Sequence, residues 1–244
     1  MDMQLPAYYN ESEEWNRMLL LYNSALKEVG TKLEILNDEF KMHHQYNPIE
    51  HISSRIKSPQ SIAKKIRHKG VELNVANIVK YINDVAGIRI TCSFIPDIYR
   101  IADLIAKQND VKVLKVKDYI MQPKANGYMS YHMIVSIPIF LADDVIDTKV
   151  EIQIRTVAMD FWASLEHKIY YKYEGNAPEN IRGELKECAQ IVSYLDQKMQ
   201  ALNEAVKEHD PYNERFRGNT IYMSEEIKDA YGTVTEDEVT VTLD

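Results

Sequence analysis

Several stretches of this chain set ionisable and aromatic side chains at spacings that suit chemistry on phosphates. Val150-Glu151-Ile152-Gln153-Ile154-Arg155 alternates with period two, so a strand puts Glu151, Gln153 and Arg155 on one face and the apolar residues on the other. A row of acid, amide and cation is also what the wet side of a sheet looks like. Here, however, the residues that follow, Asp160, Phe161, Trp162, Glu166 and His167, crowd the strand's exit. A helix starting directly after a strand points its free N–H groups at the cleft, which suits phosphate. Asp84 stands at the mouth of another strand, with Ala86 and Gly87 small enough for close backbone approach and Arg89 further along. A carboxylate there can hold a hard cation, or simply end a helix-to-strand turn. Lys124-Ala125-Asn126-Gly127-Tyr128-Met129-Ser130-Tyr131-His132 is a basic, glycine-turned loop ending in aromatics. An exposed Tyr128 would stack on a base, worth ~1–3 kcal/mol, unless it packs down as hairpin tyrosines do. Residues 51–71 hold Arg55, Lys57, Lys64, Lys65, Arg67 and Lys69 and no acid, which is an anion site or a solvated helix face.

Two separated carboxylates, a basic helix and a stacking tyrosine form a phosphoryl-transfer set, in which cations spread the charge and an oriented hydroxyl attacks. There is no Walker loop and no kinase catalytic-loop signature. The expected site is therefore of the nucleotidyltransferase sort, with carboxylates on a sheet holding Mg²⁺.

The elements that must position these groups are legible in outline. Trp15, Met18, Leu19, Tyr22, Leu26, Val29, Leu33 and Leu36 predict an amphipathic helix over 10–45, broken by Asn47-Pro48. Ser58-Pro59 caps and opens a second helix, which carries the basic cluster. A short helix is expected near 75–82, strands over 88–94, 111–116, 131–137 and 149–155, and helices over 96–107, 158–172 and 178–209. Four strands amid helices make an α+β domain with a mixed β-sheet, flanked by long N- and C-terminal helices. The expected divisions are 1–47 helical, 48–175 catalytic, 176–210 a C-terminal helix and 211–244 a mobile acidic tail.

The chain has 244 residues and a formal net charge of −8. Residues 203–244 carry four Lys or Arg against eleven Asp or Glu, so about seven of those charges lie there and the body is near neutral. Bulk nucleic acid, DNA included, is thus not an expected partner, while anionic small molecules are compatible with the basic cluster. Apolar content of 45% and charged content of 27% exclude a collagenous, disulfide-dense or wholly disordered chain. No apolar run is as long as a membrane span or follows the N-terminus as a signal peptide would, and Cys92 and Cys188 make no metal spacing. A cytoplasmic protein without a membrane partner is expected.

The segments Arg55 to Lys65, Asp84 to Ile90, Asn126 to His132, Glu151 to Thr156 and Phe161 to His167 resemble, in order and spacing, the synthetase domain of RelA/SpoT-type alarmone enzymes. The likeness covers about residues 48–173, and flanking helices extend it to roughly 15–208. Chain length points to the small single-domain synthetases, and the Asp160-bearing helix is most similar to the RelP-type subgroup. The resemblance implies pyrophosphate transfer from ATP to the 3′-hydroxyl of GTP or GDP with Mg²⁺, in a homotetramer packed through the outer helices. It further implies that Asp84 and Glu151 hold Mg²⁺ and that Glu151 is the general base. Arg55 and Arg89 would sandwich adenine, with Lys57, Ser61, Lys65 and Lys69 on the ATP phosphates. Tyr128 would stack on guanine, with Lys124, His132, Gln153, Arg155, Glu166 and His167 shaping the acceptor side. Met129 departs from the Arg usual after that tyrosine, which raises the alternative of a weakened or inactive alarmone- or RNA-binding module. A third reading is transfer of a nucleotidyl group; AMP rather than pyrophosphate as co-product would separate it from the first. Asp160 stands where the sister subgroup has Asn, so stimulation by alarmone is not implied.

Overall fold

The computed structural model describes residues 13–43, 46–172 and 178–209. In chain order the elements are α1 (Glu13–His43), β1 (Ile49–Ile56), α2 (Pro59–His68), α3 (Val75–Tyr81), β2 (Ala86–Cys92) and α4 (Ile95–Ala106). There follow β3 (Lys112–Asp118), β4 (Tyr131–Phe140), β5 (Val145–Thr156), α5 (Val157–Lys172) and α6 (Glu179–His209). Residues 1–202 form one compact unit that contains every strand. Of the second unit, residues 203–244, the described residues are the last turns of α6, so the expected tail over 211–244 lies outside the described residues.

The sheet is mixed, in the order β1-β2-β5-β4-β3. Only β2 and β5 run parallel; the other three pairings are antiparallel. One face is apolar and closed. Ile88, Ile90, Ile152, Ile154, Met133 and Val135 are buried there, each worth about 1.5–3 kcal/mol relative to exposure. Helix α1 packs on this sheet against β1, β2, β4 and β5, because Met18, Tyr22, Ala25, Val29 and Leu33 recur on one side of it. Helix α4 joins it through Ile98, Ile101 and Ile105. Its N-terminus is fixed by Asp97, whose carboxylate accepts from the Phe94 N–H and the Tyr46 hydroxyl.

The α+β class and the helix positions agree with the sequence reading, but a fifth strand, β1, was not expected. Its apolar residues Ile49, Ile52 and Ile56 are spaced by three and four, and a register shift between Ile49 and His51 breaks the alternation. It is an edge strand with little side-chain burial, so the period-two signal is weak. Strand β5 also begins earlier than expected, at Val145, forming a hairpin with β4 closed by Leu141 N–H to the Asp144 carbonyl at 2.8 Å.

Candidate active site

The other face of the sheet is polar, and strand register arranges it in rows. Arg55, Gly87, Glu151, Ile134 and Lys115 are successive cross-strand partners. Two residues along, Ser53, Arg89, Gln153, His132 and Lys117 form the next row. Partners in register share a face, so residues distant in sequence meet on one surface.

Asp84 precedes β2. The Lys57 N–H donates to the Val85 carbonyl at 2.8 Å, which sets the Lys57 side chain beside it. Lys65 comes from α2, where Ser58 accepts from Ser61 N–H as cap and Pro59 fills the first turn. Ser61, Lys65 and Lys69 follow at four-residue steps on one side of that helix. Lys57 and Lys65 donate to Asp84 Oδ2 at 2.8 and 2.6 Å. Oδ1 of the same carboxylate is buried with no hydrogen-bond partner among the described residues. Burial pushes the Asp84 carboxyl up, but the two lysines outweigh it and hold it below its ordinary value.

Glu151 Oε2 accepts from Gln153 Nε2 at 2.7 Å, and His132 Nδ1 stands 3.6 Å from Oε1, an ion-pair distance when the imidazole is charged. Burial again raises the carboxyl, while His132 and Gln153 lower it further than burial lifts it. The contacts continue around a ring. Gln153 Oε1 accepts from Arg155 Nη2 at 3.1 Å, that same nitrogen donates to the Tyr128 hydroxyl at 2.7 Å, and the hydroxyl meets His132 Nε2 at 2.9 Å. Arg155 is buried, a costly place for a cation without partners. Its guanidinium is satisfied by Tyr128, Gln153, Ser130 and Asp160. Asp160 lies in the first turn of α5, which follows β5 with no connecting residue.

Two cavities share the Asp84–Glu151 wall. One, of about 200 Å³, is lined by Arg55, Gly87, Arg89 and Gln153 as well as both carboxylates. Gly87 contributes no side chain between Arg55 and Glu151, its partners in register, which keeps the floor low. The other, of about 500 Å³, has lysines on two sides: Lys65 and Lys69 at the end of α2, and Lys115 and Lys117 on β3.

The loop over 124–128 is closed by Gly127 N–H to the Lys124 carbonyl at 2.8 Å and Lys124 N–H to the Tyr128 carbonyl at 3.1 Å. Gly127 has φ +89°, and a Cβ there would lie 2.5 Å from the Ala189 Cβ of α6. Lys124 Nζ sits 4.5 Å from the Tyr128 ring centroid and Arg155 Cζ 5.1 Å from it. Tyr128 also packs against a small cluster of Trp162, Ala163 and Ala189.

Among the residues read from sequence, the structure thus gathers Asp84, Glu151, Arg55, Lys57, Lys65, Lys69, Arg89, His132, Gln153, Arg155, Tyr128 and Lys124 on one face or its rim. Ser61 bonds the Ser58 hydroxyl at 2.8 Å on the first turn of α2. Glu166 accepts from Asn126 at 3.2 Å, and His167 is exposed on α5 and lines neither cavity. Met129 turns away, into the apolar core. Lys115, Lys117 and Ser130 were not anticipated. Lys115 and Lys117 stand two residues apart on β3 and share the polar face through their partners Ile134 and His132, while the register shift between Val113 and Lys115 takes Lys112 out of that alternation.

A profile of the region found in RelA / SpoT proteins matches residues 54–176, half of the chain, and that span holds both carboxylates and the loop over 124–132. This chain belongs to that family. The RelA/SpoT assignment extends to individual relatives. The chain is 48% identical over 194 residues to the GTP pyrophosphokinase YwaC of Bacillus subtilis, covering 80% of this chain and 92% of that protein. The crystal structure of the small alarmone synthetase 2 from Bacillus subtilis superposes with a TM-score of 0.72 at 47% identity, over 79% of this chain and all of that one. The small alarmone synthetase 1 from the same organism, bound to its product pppGpp, gives 0.75 at 35% identity, over 80% and 99%.

Proposed function

We propose that the chain is a (p)ppGpp synthetase, transferring the β,γ-pyrophosphoryl group of ATP to the 3′-hydroxyl of GTP or GDP and releasing AMP. The observation that carries this is the shared wall: two carboxylates, Asp84 and Glu151, stand between an arginine-lined cavity and a lysine-lined one. A small cavity lined by two guanidinium groups suits a flat base by stacking and cation–π attraction, so adenine lies against Arg55 and Arg89. Its phosphates then pass Asp84 toward Lys57, Ser61, Lys65 and Lys69. The opposing lysines, Lys115 and Lys117, take phosphates of the second nucleotide, whose guanine stacks on Tyr128. Lys124, exposed and flexible, is the side chain the base displaces from that ring. The product bound in the relative's crystal structure, pppGpp, is what this arrangement makes from GTP.

The residues present also fit Mg²⁺. Asp84 Oδ1 is a buried hard oxygen without a partner among the described residues, and Glu151 is the neighbouring carboxylate. Among the described residues no cluster of three or more His, Cys, Asp or Glu exists. Mg²⁺ commonly takes one or two carboxylates plus substrate phosphates, which matches a set of two. When bound it neutralises phosphate charge and acidifies nearby oxygens. Glu151 accepts the 3′-hydroxyl proton as the oxygen bonds to the β-phosphorus and the bond to AMP breaks. Gln153 and His132 orient its two oxygens, and Lys57 and Lys65 exchange from Asp84 to phosphate.

Among the described residues no helix is long and apolar enough to cross a membrane, and a cytoplasmic enzyme is the reading adopted. A homotetramer is supported by exposed Ile191, Leu195, Met199 and Leu202 at helical spacing on α6. Purified protein with ATP, Mg²⁺ and GTP or GDP, its products resolved by ion-exchange chromatography, tests the activity: AMP and a new penta- or tetraphosphate are expected. Pyrophosphate release without AMP would point to nucleotidyl transfer instead.

A further inference from the structure

Asp160 belongs to neither nucleotide site, yet one of its oxygens serves an arginine of each. Asp160 Oδ1 accepts from Arg155 Nη1 at 3.0 Å and lies 3.2 Å from Arg89 Nη1. Arg89 lines the adenine cavity and leaves its buried Nε without a partner among the described residues. Arg155 is buried and braces the Tyr128 hydroxyl. Burial, and next the charge of Arg155, disfavour the charged form of Arg89, so the two guanidinium groups are felt by one another. A single carboxylate oxygen screens both.

We propose that Asp160 is a positioning residue that couples the two nucleotide sites, making each nucleotide bind more tightly once the other is in place. The inference rests on the reading above, with adenine at Arg89 and guanine at Tyr128. An adenine over Arg89 draws that guanidinium onto its face, and the shared oxygen passes wholly to Arg155. Arg155 then holds the Tyr128 hydroxyl in one place before guanine arrives. Linkage makes the effect reciprocal: guanine that fixes Tyr128 and Arg155 leaves Arg89 free for adenine. Without the carboxylate, Arg155 keeps Tyr128, Gln153 and Ser130, so the guanine platform survives but no longer senses Arg89.

The test is Asp160→Asn, titrated calorimetrically with GDP and with an ATP analogue bearing a methylene between the α- and β-phosphorus, which prevents turnover. In the parent protein the Kd for GDP should fall about tenfold when the analogue is saturating, and the reverse should hold, within the ~5–150-fold usual for such coupling. In the variant each nucleotide alone should bind within about threefold of the parent, because the buried Arg155 keeps Tyr128, Gln153 and Ser130 and the introduced amide oxygen still accepts, while the mutual effect disappears. In steady state the KM for GTP should become independent of ATP concentration in the variant only. A merely loosened site would raise both KM values and leave their interdependence intact. Asp160→Glu, which keeps the charge, should recover part of the coupling, and it serves as the test if the Asn variant melts early. A parent protein that binds both nucleotides without mutual effect, or a variant that keeps the full effect, overturns the inference and leaves the functional reading standing. A parent that binds neither overturns both.

Discussion

A carboxylate that takes a proton from a sugar hydroxyl must be ionised and shielded from bulk water, and Glu151 meets both demands. Replacing it with Gln keeps the shape and the contact with Gln153 but removes the basic oxygen. We expect kcat to fall ~10²–10⁴-fold, the range for losing a general base, with the protein still folded and still binding both nucleotides. Nucleotide titrations and a melting curve beside the product assay would check this; full turnover by the Gln variant would remove Glu151 from its role. Titration elsewhere has the opposite sign. Asp84 and Glu151 are held low, so what they add to stability is present above the ordinary carboxyl range and lost as acid protonates them. Asp196 is raised, by burial first, against the lowering bond from Thr156 Oγ1 at 2.6 Å. Its folded form holds a proton more tightly than the unfolded chain does. That stabilisation is complete below about pH 4 and fades as pH climbs through the raised value. Asp196→Asn keeps an acceptor for Thr156 and should therefore melt higher than the parent at pH 7, the gap closing toward pH 4 as thermal melts across that range would record.

Among the elements, the loop that carries Tyr128, the proposed guanine platform, depends on a helix distant in sequence. Gly127 lets the loop turn with φ +89° directly beneath α6, against Ala189. Gly127→Ala adds a 2.5 Å contact to a left-handed backbone and should cost about 1–3 kcal/mol. The acceptor KM should rise more than the ATP KM. Adding Ala189→Gly should recover only part of the melting loss, since it relieves the contact and not the dihedral; complete recovery would show that the backbone carries no strain. None of this was visible in the sequence, where Asn126-Gly127 reads only as a turn. What was legible followed from strong periodicity: β5 alternates cleanly, so Glu151, Gln153 and Arg155 could be put on one face before any coordinate. Asp84 and Lys57 were legible as types, but their meeting depends on a backbone bond between Lys57 and Val85 that no local pattern announces. Strand β1 escaped because its isoleucines fall at helical spacing, and Lys115 and Lys117 because only the pairing of β3 with β4 brings them to the carboxylate cavity.

At the scale of the molecule, most of the net charge lies after residue 202, while both cavities and every row of the polar face lie before it. Deleting residues 211–244 removes no site residue and should leave kcat/KM for both substrates within about twofold, the scale of surface changes away from packed features. A large loss in the same assay would show that this segment contributes to the site. The exposed apolar row on α6 makes a separate prediction: Leu195→Glu should lower the mass measured by light scattering, because a charge at the centre of such a seam is not easily desolvated. One further property follows from the direct passage of β5 into α5. From Glu151 through Gln153 and Arg155 to Asp160, the proposed base, the amide bonded to it, the buried guanidinium and the shared carboxylate are spaced by a strand and a helical turn with no loop between them. That segment acts as a ruler, and a single inserted residue anywhere in it would rotate everything downstream off the polar face. The hairpin tip at 141–144, held by one backbone bond and an exposed ion pair from Asp144 to Arg17 and remote from the rows, has no such constraint. Length variation, natural or engineered, should therefore be tolerated at that tip and rejected between 151 and 160.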